Sequence, residues 1–442
     1  MSAEALTARG ELGAPHSMRL LAEAAQYIPG GVNSNRRKID PPLCVLRGQG
    51  AYLEDLDGRR FIDYHAAYGP ILLGHAYPST IERVRASLPD GVLFGVGVTE
   101  AEVALARKIV QHVPSAEQVL LCNSGTEATM HSVRLARAVT GRQLIVKFQG
   151  GFNGSHDAVL RNVLSPPQLI GQRDPGSAGM LDAAVDHTLV CRFNDLADVR
   201  DVFERSGEDI AAVILEPILH NAPSIMPKDG FLAGLRSLCD ESGALLIFDE
   251  IITGFRHHLG GYQAICGVTP DLTAMGKAMA NGFPIAAVGG RRELMQRCNT
   301  VVGGDVYFGG TYSGNQVGVA AALATIEELE RQPVHEHIFK LGELMRDGLR
   351  EIAGRIGVPA VVSGFGSLYV LNFMAGELES YDDAVRNDTA LQVRYRQELL
   401  RRGVFEMPES SGRNHISFSH TAEDIEHTLE VAEQALRAAL MT

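Results

Sequence analysis

Three short stretches of the chain hold residue types that could do chemistry together. LLIFDEIITGF (Leu245–Phe255) runs four apolar residues straight into two adjacent acids. A carboxylate at the end of a buried run must be paired, protonated or bonded to a cation. Asp249 therefore needs a partner, and a structural ion pair or a helix cap would serve as well as a ligand. MGKAMANGFPIAAVGG (Met275–Gly290) sets Lys277 among small and apolar residues. A desolvated lysine has a lowered pKa and becomes a nucleophile able to form a Schiff base. The plainer alternative is a side chain lying along apolar surface with its head in water. NSGTE (Asn123–Glu127) is a hydroxyl-bearing glycine turn ahead of a helical stretch. Such a turn binds anions, because its N–H groups and the helix dipole point the same way. Ser124 followed by Glu127 also spells a simple capping box.

The surrounding elements decide whether these stretches meet. QVLLCN (Gln118–Asn123), QLIVKF, AAVILEP and ALLIFDE read as buried, unalternating strands separated by helical stretches. That pattern implies an α/β fold, with a largely parallel sheet covered on both faces. In such sheets ligands bind beyond the carboxyl ends of the strands, and all three stretches sit at such ends. AYLEDLDGRRFIDY (Ala51–Tyr64) reads as two short strands around a turn at Asp57-Gly58. Beyond about residue 330 a helix, two strands (SLYVLNFM, HISFSH) and a last helix read as a smaller α+β domain. The expected division is an N-terminal segment, 1–80, packing with a small domain, 331–442, beside a large domain, 81–330. Roughly the first 15 residues read as a loose terminus. An anion cradle, a carboxylate and a lysine on successive loops of one sheet suit a phosphorylated pyridine aldehyde. That is pyridoxal phosphate, whose lysine Schiff base and ring-nitrogen-binding acid are its recognisable protein partners.

Composition narrows the classes. The 442 residues are 45% hydrophobic and 21% charged, an ordinary globular balance. A formal net charge of −13 argues against nucleic acid as the main partner. No window approaches the ~20 apolar residues of a membrane span, and the first residues lack the pattern of a secretory signal. The six cysteines are scattered without a CxxC pair, so no metal is expected and free thiols in a reducing cytoplasm fit best. No GxGxxG follows a strand and opens a helix, which removes a nicotinamide-binding reading.

The motifs GGVNS, GAYLEDLDGRRFIDY, NSGTEATM, LLIFDEIITGF, PDLTAMGKAMANGFPIAAVGGR and GTYSGN occur in this order. On them the chain, from about Ile28 to its end, resembles the class III (subgroup II) aminotransferases of fold type I. Within that family it is most similar to the glutamate-1-semialdehyde 2,1-aminomutases. The resemblance implies that Lys277 forms the Schiff base with pyridoxal phosphate and that Asp249 pairs with the ring nitrogen. It implies that Ser124, Gly125 and Thr126 hold the phosphate and that Ile251 packs on one face of the ring. Phe152 falls where the family stacks an aromatic ring, and stacking survives a Tyr-to-Phe change. Thr311 would reach the phosphate of a neighbouring subunit, making a homodimer. In GGVNSNRRK, Ser34 and Arg37 would meet a substrate carboxylate, a task that suits the arginine fork; a surface basic patch of Arg36, Arg37 and Lys38 is the alternative. Tyr68 takes the place of a tryptophan, and Arg161 to about Thr188 resembles the mobile active-site lid.

Two departures bear on the reaction. Gly412 stands where the aminomutases carry a glutamate that meets the substrate's amino end, and Asn153 replaces a histidine. Both spare the cofactor and alter the substrate pocket. The expectation is thus an aminotransferase taking a carboxylate-bearing amino substrate and a keto acid acceptor. Aminomutase-like intramolecular transfer and an amino-acid epimerase on the same fold are the alternatives. A catalytically silent scaffold is the rival from another class, and intact Lys277 and Asp249 argue against it.

Overall fold

The structure, a computed structural model, describes residues 14–409 and 412–441. The loose terminus expected of the first residues lies outside them but for Ala14 and Pro15, where the helix Pro15–Tyr27 begins. The strands are β1 (Val45–Gln49), β2 (Tyr52–Asp55), β3 (Arg60–Asp63), β4 (Gln118–Cys122), β5 (Leu144–Phe148), β6 (Thr188–Cys191), β7 (Ile210–Leu215), β8 (Leu245–Glu250), β9 (Leu272–Met275), β10 (Ala286–Gly290), β11 (Val361–Ser363), β12 (Leu368–Asn372), β13 (Val404–Phe405) and β14 (Asn414–His415).

A seven-stranded sheet of order β4-β10-β9-β8-β7-β5-β6 forms the centre. It is parallel except for β10, which runs against both neighbours. Every residue of β7 and β8 is buried, as continuous apolar runs covered on both faces must be. Alternate residues serve opposite faces. Ala212, Ile214 and Ile247 pack with Ala128, Leu135 and Ala136 of the helix Gly125–Thr140. Val213, Leu215 and Leu246 pack on the other side around Phe148, Phe193 and Phe231, whose rings meet edge to face. Strands β6, β9 and β10 are additional to the strands expected of the sequence.

The two ends of the chain build further sheets. β1, β2 and β3 form antiparallel pairs, and β13 joins β3 in parallel, with Val404 opposite Ile62. β11, β12 and β14 make a three-stranded sheet. Ile62 and Tyr64 share one core with Leu341, Met345, Ile425 and Leu436. Arg256, fully buried, rivets these ends to the large sheet. Its guanidinium donates to the carbonyls of Gly69 (2.6 Å), Ile71 (3.2 Å) and Ile416 (3.4 Å) and to Ser367 Oγ (3.1 Å).

Candidate active site

Two neighbouring strands end in acids. β8 delivers Asp249, which is buried. Asn153 Nδ2 donates to its Oδ2 at 2.9 Å and the Ile251 N–H to its Oδ1 at 3.2 Å. Burial, and then the carboxylate of Glu216, push Asp249 up to about 7. Glu216 follows β7 directly and accepts the N–H groups of Phe152 (3.0 Å), His220 (3.1 Å) and Asn221 (3.2 Å). Burial raises it too. Among the described residues neither acid has a salt-bridge partner, so this floor lacks a bonded cation.

Lys277 comes one residue after β9 and its glycine. Its φ of +44° lies in the left-handed region, costly for a residue with a side chain and typical of functional sites. Burial, and then the charge of Arg413, push its ammonium down to about 7. Ser124 caps the helix Gly125–Thr140, its side chain accepting the Glu127 N–H at 3.2 Å. Glu127 does not complete a capping box; it accepts the N–H of Asn123 at 2.8 Å and its amide at 3.1 Å. A Cβ at Gly125 would stand 3.0 Å from Ile251, so any larger residue would press on the Ile251 side chain.

These residues line an inner cleft of about 300 Å³ that also takes in Thr126, Phe152, Asn221 and Ile251. Lys277 and Phe152 also line an outer cleft of about 800 Å³. Its other walls are Ser34, Arg36, Tyr68, Asn221, Arg413 and the segment from Leu160 to Ala178. The inner cleft fits pyridoxal phosphate. It offers an anion turn at a helix start, a lysine lowered toward neutrality, and two buried acids that want a positive charge.

A family model for class-III aminotransferases matches residues 33–436. The chain belongs to the class-III aminotransferases. It is 44% identical to the glutamate-1-semialdehyde 2,1-aminomutase of Desulforudis audaxviator, over 96% of this chain and 98% of that one. An omega-transaminase from Sphaerobacter thermophilus superposes with a TM-score of 0.91 at 33% identity, covering 98% of this chain and 99% of that one. A glutamate-1-semialdehyde aminomutase from Pseudomonas aeruginosa PAO1, in complex with PMP, superposes at 0.86 and 26% identity, covering 99% and 98%. This class-III aminotransferase is a pyridoxal-phosphate-dependent enzyme of fold type I.

Ser124, Gly125, Thr126, Phe152, Asp249, Ile251 and Lys277 converge on the inner cleft of this aminotransferase, and Ser34 and Tyr68 on the outer one. Arg37 does not join them. Asn35–Arg37 is one turn of 3₁₀ helix, whose successive side chains point in different directions. Arg36 lines the cleft and pairs with Glu409 at 3.2 Å, while Arg37 is exposed and does not line it. Thr311 lies in a separate concavity with Phe94, Glu102 and Gln316, not in the cleft of its own chain. Glu216, Asn221 and Arg413 were not among the residues singled out as binders. Glu216 carried a usable signal, since the apolar run of AAVILEP ends at an acid just as that of LLIFDE does. Arg413 carried none beyond its place next to Gly412.

Proposed function

We propose that the enzyme passes an amino group from a carboxylate-bearing amino compound to a keto acid. The observation that carries this is Arg413. Its guanidinium is buried in the wall of the outer cleft. It donates to neutral oxygens, Asn221 Oδ1 at 2.9 Å and the Tyr68 carbonyl at 3.3 Å, and its Nε is unpartnered. A guanidinium fork with N–H groups left over on Nη1 and Nη2 suits a carboxylate. Around it Phe152, Leu160, Val163, Leu164, Pro166 and Pro175 offer an apolar surface to the rest of the substrate.

When bound, pyridoxal phosphate supplies an electron sink and a carrier for the amino group. With its pKa near 7, Lys277 is partly neutral at neutral pH. It is suited to take a proton from the amine-bearing carbon and return it. Asp249, as a carboxylate, holds a proton on a ring nitrogen. The turn at Ser124–Thr126 holds the phosphate.

Among the described residues around Gly412 the acids are engaged within the protein. Glu406 is buried against Tyr369 (3.0 Å) and Arg396 (3.4 Å), Glu409 is paired with Arg36, and Gly412 gives its carbonyl to Arg396 at 2.6 Å. An aminomutase must grip its intermediate at both ends while nitrogen moves. The names of the curated relatives favour that second reading nevertheless: five at 40–44% identity are glutamate-1-semialdehyde 2,1-aminomutases. One experiment decides. A transaminase given one amino donor alone forms about one carbonyl product per site and stalls until pyruvate or 2-oxoglutarate is added. Sustained conversion of glutamate 1-semialdehyde to 5-aminolevulinate without a keto acid establishes the mutase.

The same reading makes the enzyme a cytoplasmic homodimer. Phe94, Val96, Val98 and Tyr312 stand more than half exposed beside the Thr311 concavity, an apolar patch suited to a second copy. Among the described residues no helix is long and apolar enough to cross a membrane. Sedimentation of a single monomeric species at micromolar concentration would overturn the dimer.

A further inference from the structure

Lys147 lies inside β5, opposite Val190 of β6, and is fully buried. Among the described residues no carboxylate pairs with it. Its Nζ donates instead to two main-chain carbonyls, that of Gly151 at 2.9 Å and that of Arg161. A buried charge held only by carbonyls is an expensive arrangement. Burial pushes the ammonium down to about 7, but the amine keeps two N–H donors, so both bonds survive deprotonation. Lys147 lines neither cleft, so it is no second nucleophile.

The two carbonyls belong to different walls of the site. Gly151 starts the turn that places Phe152 between the clefts and aims Asn153 at Asp249. Arg161 is the root of the segment that walls the outer cleft. Its own guanidinium reaches the far end of that segment, at the carbonyls of Val185 (2.7 Å) and Thr188 (2.6 Å). Gln149, two residues along, fastens the same segment at the Asn162 carbonyl (3.1 Å) and Ser165 Oγ (3.0 Å) and has no bond to the Phe152 turn.

We propose that Lys147 is a positioning residue that locks the cofactor-facing turn Gly151–Asn153 to the root of the substrate-facing wall at Arg161. It touches neither cofactor nor substrate. The inference rests on the proposed placing of substrate in the outer cleft only where KM is read; its other readouts are independent of substrate.

Lys147→Met keeps the bulk of the side chain and removes its donors, whereas Gln149→Leu loosens the wall alone. Both are compared with the wild-type holoenzyme for cofactor affinity, KM, and the rate of trypsin cleavage after Arg173, an exposed residue of the wall. Lys147→Met should weaken cofactor binding and speed that cleavage, each about tenfold, the scale of a lost charge-assisted bond. Gln149→Leu should speed cleavage and raise KM with cofactor affinity unchanged. If Lys147→Met does not fold, Lys147→Gln, whose shorter amide cannot span both carbonyls, is read in the same way. A folded Lys147 variant that melts earlier yet keeps wild-type cofactor affinity and cleavage rate overturns the proposal. So does loss of cofactor affinity with no change in cleavage, because the two walls would then be uncoupled. Failure of the donor-alone assay would leave both of these readouts standing.

Discussion

The floor of the inner cleft and the walls of the outer cleft are built in different ways. The floor hangs from strand ends of one sheet: Asp249 on β8, Glu216 after β7 and Lys277 after β9, which are neighbours, and the Ser124 turn after β4, one strand further on across β10. The outer walls come from the chain's two ends and one long segment: Ser34, Arg36 and Tyr68, Arg413, and residues 160 to 178. A rigid sheet fixes where charges stand and so suits chemistry common to many substrates. Loops can change without disturbing it and so suit selection among substrates. Damage to the floor should therefore strike every substrate alike, and damage to the walls should discriminate.

Lys277→Ala should have the largest effect. Activity should fall below detection with every amino donor, and borohydride should no longer fix the cofactor to the chain. Peptide mapping that found the cofactor on another lysine in the wild type would show the floor to be misassigned. Next comes Asp249→Asn, which keeps a side chain of the same shape but cannot hold a ring-nitrogen proton. Loss of one electrostatic stabiliser typically lowers the rate ~10²–10³-fold, and here the factor should be the same for all donors. Near-normal turnover of the cofactor-loaded variant would remove Asp249 from the mechanism.

Arg413→Met tests the walls. An ionic hydrogen bond contributes about 1.5–3 kcal/mol, so kcat/KM for a carboxylate-bearing donor should drop by ~10–100-fold while a plain amine is spared. Equal losses would make Arg413 structural. Arg37→Met should change neither, in contrast to Arg413→Met, because Arg37 does not line the cleft.

The smallest effect is one of stability, and it reverses with cofactor. In the cofactor-free protein Asp249 has its pKa raised from 3.8 to about 7. Between those values the folded state binds a proton that the unfolded state has released, so this residue's contribution to stability falls as pH rises. Asparagine has no such dependence. The melting temperature of cofactor-free Asp249→Asn should thus gain on the wild type from about pH 4 to pH 7 and then level off. With cofactor bound the order should invert. A constant difference across that pH range would mean the carboxyl is not raised.

The same contrast explains what could be read from the sequence. An acid ending a long apolar run and a lysine among glycines are local signals, so Asp249 and Lys277 stood out. So did the sheet's longest strands. The outer walls depend on geometry that no local pattern encodes. Which of Arg36 and Arg37 faces inward is set by a single 3₁₀ turn, and Arg413 precedes a two-residue strand, β14, too short to show periodicity. Glu216 was legible by the rule that found Asp249.

The pairing of the chain's two ends has a consequence for synthesis. Tyr52 donates its hydroxyl to Asp424, 372 residues later, and Tyr64 meets Thr428 across 364 residues at 2.8 Å. At roughly 5–20 residues per second, translation leaves the first strands waiting on the order of 20–70 s for these partners. Until β13 has left the ribosome, β3 has an open edge, a ready template for wrong pairing. Arg413 emerges later still, so the wall of the outer cleft is incomplete until the chain has been made past β13. A nonsense codon in the last helix would not trim a tail. If it fell at the start of that helix it would remove Asp424 and Thr428, and so leave the earliest-made strands without these partners although the large sheet is complete.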